Sequence, residues 1–226
     1  MRRGPLRQPL VVAAALSVLL AACLDPTTGT PPPKGATVPA YTSSIATVTA
    51  EDLGSSWRAG CPVGPSGLRR VWVAYWGYDG ERHTGDLVVA RAEAADVAKV
   101  FGRLYAERFP IRRIHPVTAY GSSDDDSMAA NNTSAFNCRK VTGGSGWSEH
   151  AYGTAIDLNP VQNPYVTPGG TVLPPSGRPW KDRSVRAPGM VHAGDATTKA
   201  FAAIGWGWGG SWSSTKDHQH FSASGH

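Results

Sequence analysis

Apolar and polar positions alternate along Leu68–Ala74, with Leu68, Arg70, Trp72 and Ala74 on one side and Arg69, Val71 and Val73 on the other. A period of two predicts a strand. Gly85–Ala90 (GDLVVA) reads as a second short strand. Between Ala92 and Phe109 the spacing changes: Val97, Val100, Phe101, Leu104 and Tyr105 recur at three and four residues, which predicts a helix ended by Pro110. Ile111–Val117 is a third strand candidate, and residues 119–146 read as a long polar loop. Ala155–Asn159 predicts a short strand, followed by a Pro-rich loop to about Pro188. Asp195 caps a short helix through Ile204 that Gly205 stops. Gly/Trp-rich turns then lead to a last strand near His218–Ser222. Strands separated by scattered helices point to an α+β fold rather than a doubly wound sheet.

The N-terminal pattern is of another kind. Arg2, Arg3 and Arg7 precede the apolar run Leu10–Ala22, which is shorter than the ~20 residues of a spanning helix and has the form of a secretory signal over residues 1–22. The run ends in Leu20-Ala-Ala-Cys23, which resembles the lipobox of bacterial lipoproteins. Cys23 would then carry a lipid anchor to the membrane on the extracytoplasmic face. An ordinary signal cut nearby would leave Cys23 incidental. Residues 23–44 are rich in Pro, Thr, Ser and Gly and read as a tether. Residues 45–226 have the length of one domain, expected to be monomeric.

Charge follows from this division. The chain is +5, with 22 basic and 17 acidic side chains. Three of the arginines and none of the acids lie in residues 1–22, so the remainder is only +2 (5 − 3). The basic character belongs mostly to the leader, and nucleic acid as a partner loses its support. With Cys23 set aside, Cys61 and Cys138 remain. In an oxidising compartment they could form a disulfide, stabilising by about 4 kcal/mol in the chain-entropy model. The alternative is two buried free thiols. Cysteines so far apart do not have the spacing of a structural zinc site.

The densest chemistry lies in Ser148-Glu-His150-Ala-Tyr-Gly153-Thr-Ala155-Ile-Asp157, followed near the end by Lys216-Asp217-His218-Gln219-His220-Phe221. His150 and Asp157 are potential metal ligands, with Gly153 allowing a tight turn between them. On the strand, Asp157 shares a face with Ala155 and Asn159, while Ile156 and Leu158 face the core. His220 supplies a third ligand and Asp217 a spare carboxylate. Two His and one carboxylate leave a fourth position open, which is the catalytic pattern, and suit zinc best.

The combination S-x-H-x-x-G-x-A-x-D with a late D-x-x-H-F resembles the zinc D-alanyl-D-alanine carboxypeptidase family, which includes the vancomycin-resistance peptidases and the L-alanyl-D-glutamate endopeptidases of phage lysins. The resemblance covers roughly residues 60–222, and Ser134-Ala-Phe-Asn-Cys-Arg139 shares it. It implies a small domain with a central antiparallel sheet carrying one Zn2+, held by His150, Asp157 and His220. Asp217 would be the general base, and Ser148 would orient the site by a hydrogen bond. Relatives carry a Tyr-Arg pair where this chain has Tyr120-Gly121, so Arg139 becomes the substitute for that arginine. The implied substrate is a peptidoglycan stem peptide, cut by a carboxypeptidase or an endopeptidase. A non-catalytic zinc domain that binds the cell wall is the rival of another class.

Other side chains carry blander expectations. His218 is a partner behind the metal or a polar strand residue, the latter preferred. Asp124–Asp126 lack calcium-loop spacing and read as a solvated or lid loop. Trp206, Trp208 and Trp212 could stack on a ligand, but packing is favoured. Arg112 and Arg113 meet either a substrate carboxylate or solvent.

Overall fold

The computed structural model describes Met1 and residues 38–226. The expected signal, Cys23 and most of the tether lie outside the described residues. Packing begins before residue 45: the Tyr41 hydroxyl donates to Ala98 O at 2.6 Å, and its ring lies 5.6 Å from that of Tyr105.

The strands are β1 Ser43–Thr47, β2 Leu68–Trp76, β3 Arg82–Ala90, β4 Ala155–Asp157, β5 Tyr165–Val166, β6 Val172–Leu173, β7 Gly207–Trp208, β8 Lys216–Asp217 and β9 His220–Ser222. The α-helices are α1 Ala50–Leu53, α2 Ala94–Ala106, α3 Asp124–Ala129, α4 Glu149–Tyr152 and α5 Ala196–Ala202. The α+β class holds, and the antiparallel pairing is divided among three sheets ordered β1-β2-β3, β4-β9-β7 and β6-β5-β8. Asp157 and His220 sit opposite one another on the second of these, not on the long β2–β3 hairpin.

One core joins these parts. Val71, Val73, Leu87 and Val89 from the hairpin meet Val97, Phe101 and Leu104 of α2, Ile156 and Leu158 around β4, Phe201 of α5 and Phe221 of β9. Phe201 and Phe221 stack with centroids 3.9 Å apart. Full burial of such a ring stabilises by about 1.5–3 kcal/mol, and it fixes the strand that presents His220.

α2 stops short of the predicted Phe109. Arg108 turns to φ 51°, and Phe109 N donates back to Leu104 O at 2.9 Å. A left-handed residue with this bond is a Schellman-type stop, so the helix is capped before Pro110 acts. Ile111–Val117 is not a strand. Its buried residues Ile111, Ile114 and Val117 recur at three, not two. Side chains take its backbone donors instead: Arg112 N donates to Asn159 Oδ1 at 3.0 Å, and His115 N to Asn132 Oδ1 at 2.9 Å. The expected polar loop 119–146 also needs correction. It contains α3, capped by Ser123, and a segment, residues 131–138, that is buried throughout. Its polarity serves the interior: Asn132 Nδ2 donates to His115 O at 2.9 Å, and Asn131 Nδ2 to Gln162 Oε1 at 2.7 Å. Buried amides in this chain satisfy neighbouring backbone. Cys61 and Cys138 form a disulfide, with Cα atoms 5.9 Å apart, in a satellite cluster with Leu53, Leu68 and Phe136.

Candidate metal centre

Ser148 starts the site. Its hydroxyl accepts from His150 N at 3.3 Å and caps the single turn of α4. Gly153 ends that turn at φ 72°, a conformation glycine adopts without strain. There is no room for a side chain either, since a Cβ would lie 2.6 Å from Ala90 N. The chain then enters β4, where Asp157 exchanges backbone hydrogen bonds with Ser134 at 2.9 and 3.0 Å and pairs with His220 on its other edge. Ile156 and Leu158, fully buried on the reverse side, anchor the mount.

The ring orientations follow from outer partners. His150 Nδ1 lies 2.6 Å from Ala135 O. A carbonyl can only accept, so Nδ1 carries the proton and Nε2 presents its lone pair to the site. Nε2 is shielded from solvent and has no hydrogen-bond partner; it lies 3.3 Å from Asp157 Oδ2. His220 Nδ1 lies 3.1 Å from Asp157 Oδ1, and the His220 ring lies 5.1 Å from that of His150. One donor atom from each of His150, Asp157 and His220 falls within 4.8 Å of the others. An orphaned imidazole nitrogen beside a carboxylate and a second imidazole fits a divalent cation of zinc's preferences, with three protein ligands and room for a fourth.

These groups also set one another's charge. Burial opposes ionisation of Asp157, yet the charge and hydrogen bonds of His150 and His220 hold its carboxyl far below the usual range. Burial likewise opposes protonation of His220, but the hydrogen bond and charge of Asp157 and the charge of Asp217 raise its pKa. Asp217, on β8 opposite Tyr165, is half-buried, and its Oδ1 is shielded without a partner. Burial first, then the neighbouring Asp157 charge, pushes the Asp217 carboxyl up to about 7.

His150, Asp157, His220, Asp217, Ser148 and Arg139 all line one cleft of about 400 Å3. Sequence reasoning gave no site role to Asp124 or Glu149 and favoured packing for Trp212, yet all three line the cleft. Asp124, expected in a solvated or lid loop, forms an ion pair with Arg139. Glu149 accepts from Thr154 Oγ1 at 2.6 Å. Trp212 sits with its ring 5.6 Å from that of His220. Trp206 and Trp208 pack: Trp206 lies against Phe201 and Trp208 against Phe221. His218 does not share a strand with His220; it lies 5.8 Å from the Trp208 ring, and burial lowers its pKa to about 4.

Residues 142–223 match the family model described as D-alanyl-D-alanine carboxypeptidase. That segment holds Ser148, His150, Asp157, Asp217 and His220, and supports a peptidase; Arg139, Asp124 and Cys138 lie upstream of it. No curated protein and no solved structure matches the chain.

Proposed function

We propose that the chain is a zinc metallopeptidase that hydrolyses a peptide bond in the stem peptide of peptidoglycan, as a D-Ala-D-Ala carboxypeptidase. The observation that carries this reading is the convergence of His150, Asp157 and His220 donors beside the poised carboxyl of Asp217. His150 Nε2, His220 Nδ1 and the Asp157 carboxylate would hold the zinc. When bound, the ion supplies Lewis-acid polarisation and an acidified water.

The chain's own groups do the rest. Asp217 takes a proton from the attacking water and returns one to the leaving amine; its shielded, unpartnered Oδ1 lines the same cleft as the three ligands, and a carboxylate so placed can do both. Arg139 places a guanidinium in the same cleft, suited to the negative charge that grows on the carbonyl oxygen. Ser148 acts through the backbone, by fixing the turn on which His150 stands. The leader pattern and a peptidoglycan substrate support a location outside the cytoplasmic membrane, with an anchor through Cys23. Among the described residues no helix is long and apolar enough to cross a membrane.

One observation favours a second specificity. Arg139 is the one Lys or Arg side chain among the described residues of the cleft wall, and it is already paired with Asp124. A substrate's terminal carboxylate is best received by an unpaired cation, so cleavage of an internal bond suits this wall. Incubation of the zinc-loaded protein with defined muropeptides, read by mass spectrometry, separates the readings. Loss of one terminal alanine supports the carboxypeptidase. Two peptide fragments support the endopeptidase. Unchanged muropeptides with zinc bound would leave only a binding module.

A further inference from the structure

Arg139 is held in the cleft by a residue that the peptidase motifs do not contain. Its Nε is ion-paired with Asp124 Oδ2. The other oxygen of Asp124 accepts from Asn137 Nδ2 at 2.8 Å, and that amide also donates to Ser122 O at 3.3 Å. Asp124 therefore clips two side chains that are two residues apart on one segment, as side chains on the same side of an extended chain are. Cys138 between them joins Cys61. The clipped segment is also tied to the metal helix: Asn137 N donates to His150 O at 3.2 Å and Ser148 N to Arg139 O at 3.1 Å.

Two bland accounts of Asp124 are weaker. An acidic residue at a helix start interacts favourably with the backbone dipole, but Asp125 and Asp126 already provide that charge in α3 from exposed positions. Stability is a poor reason as well. The side chains of Arg139 and Asp124 remain 28% and 27% exposed, and pairs that reach solvent contribute little to folding. What the contact does supply is orientation. An arginine has many rotamers, and the ion pair at Nε, with Nη1 donating to Lys140 O at 3.1 Å, leaves the guanidinium in a limited set of attitudes.

We propose that Asp124 is a positioning residue, holding the Arg139 guanidinium ready for the oxygen that becomes negative as the peptide bond is attacked. The inference rests on the peptidase reading given above. A double-mutant cycle tests it, with wild type, Asp124→Asn, Arg139→Gln and the double variant compared for kcat, KM, bound zinc and Tm on the muropeptide that wild type cleaves. Loss of the guanidinium should lower kcat about 100-fold. Asp124→Asn should lower kcat about 10-fold at nearly constant KM, as partial misorientation does, with zinc content and Tm unchanged. The double variant should be no worse than Arg139→Gln, because Asp124 acts through Arg139. Losses that multiply, or zinc lost in step with activity, would overturn the proposal. Full activity of Arg139→Gln would remove the role of Arg139 and the inference with it. A wild type that cleaves nothing would instead mark failure of the peptidase reading. Should Asp124→Asn not fold, Asp124→Glu enters the same cycle, and its kcat deficit must vanish when Arg139 is Gln.

Discussion

Replacing Gly153 by Ala is the smallest change that should disturb the centre without touching a ligand. An alanine at φ 72° sits in the left-handed region, at a cost of about 1–2 kcal/mol. Its Cβ would lie 2.6 Å from Ala90 N and 3.0 Å from Leu68 Cδ2, and Ala90 N is the atom that donates to Gly153 O at 2.8 Å. A backbone neighbour cannot swing away as a flexible side chain can, so overpacking adds about 1–3 kcal/mol. Together the variant should lose about 2–5 kcal/mol, a fall in Tm of roughly 5–15 °C for a domain of this size. Relief of the clash has to move α4 away from β3, and His150 moves with α4 relative to Asp157. Zinc affinity should therefore fall about 10-fold or more, as it does when the support of a ligand is altered. Scanning calorimetry and a competitive zinc titration measure the two effects. A Tm within about 2 °C of wild type, with unchanged zinc affinity, would refute the argument that this turn sets the geometry.

Asp217→Asn should keep zinc but lose turnover by about 10²–10⁴-fold; loss of zinc would make Asp217 a ligand instead. The same variant has a pH signature in the metal-free protein. Burial and Asp157 hold the Asp217 carboxyl at about 7 in the fold, above its unfolded value, so its contribution to stability is fully present below the unfolded pKa and is lost as pH rises through about 7. Asp217→Asn should thus gain stability over wild type between pH 4 and pH 8 in chelated urea melts, and a constant difference would count against the assignment. Replacing Cys61 and Cys138 together by Ser, which opens a link across 77 residues, should cost about 4 kcal/mol by denaturant melts. A cost under about 1 kcal/mol would mean that the bond does not constrain the chain.

The parts of the site legible in the sequence were those encoded locally. Gly153 between His150 and Asp157 announces a turn between two ligands, and the alternation Ile156–Asp157–Leu158 announces which way each side chain faces. α2 was legible for the same reason, its apolar stripe repeating over several turns. What escaped was set by contacts distant in sequence. Residues 131–138 look like loop because Asn131, Asn132, Thr133 and Asn137 are polar, yet they are interior because their side chains hydrogen-bond to partners from other segments. Ile111–Val117 misled through its β-branched residues, although Pro110 precedes it, Pro116 lies within it and the buried positions fall every third residue. Asp124 gave no signal in composition; its meaning comes only from the approach of Arg139, fifteen positions on.

His150, Asp157 and His220 are expected to close on one cation. Equilibrium zinc binding to the wild type and to the His150→Ala, Asp157→Ala and His220→Ala variants tests it most directly. One tightly held zinc per wild-type chain, with affinity collapsing in each of the three variants, is the expected result. Tight stoichiometric zinc in any one of the three would contradict it.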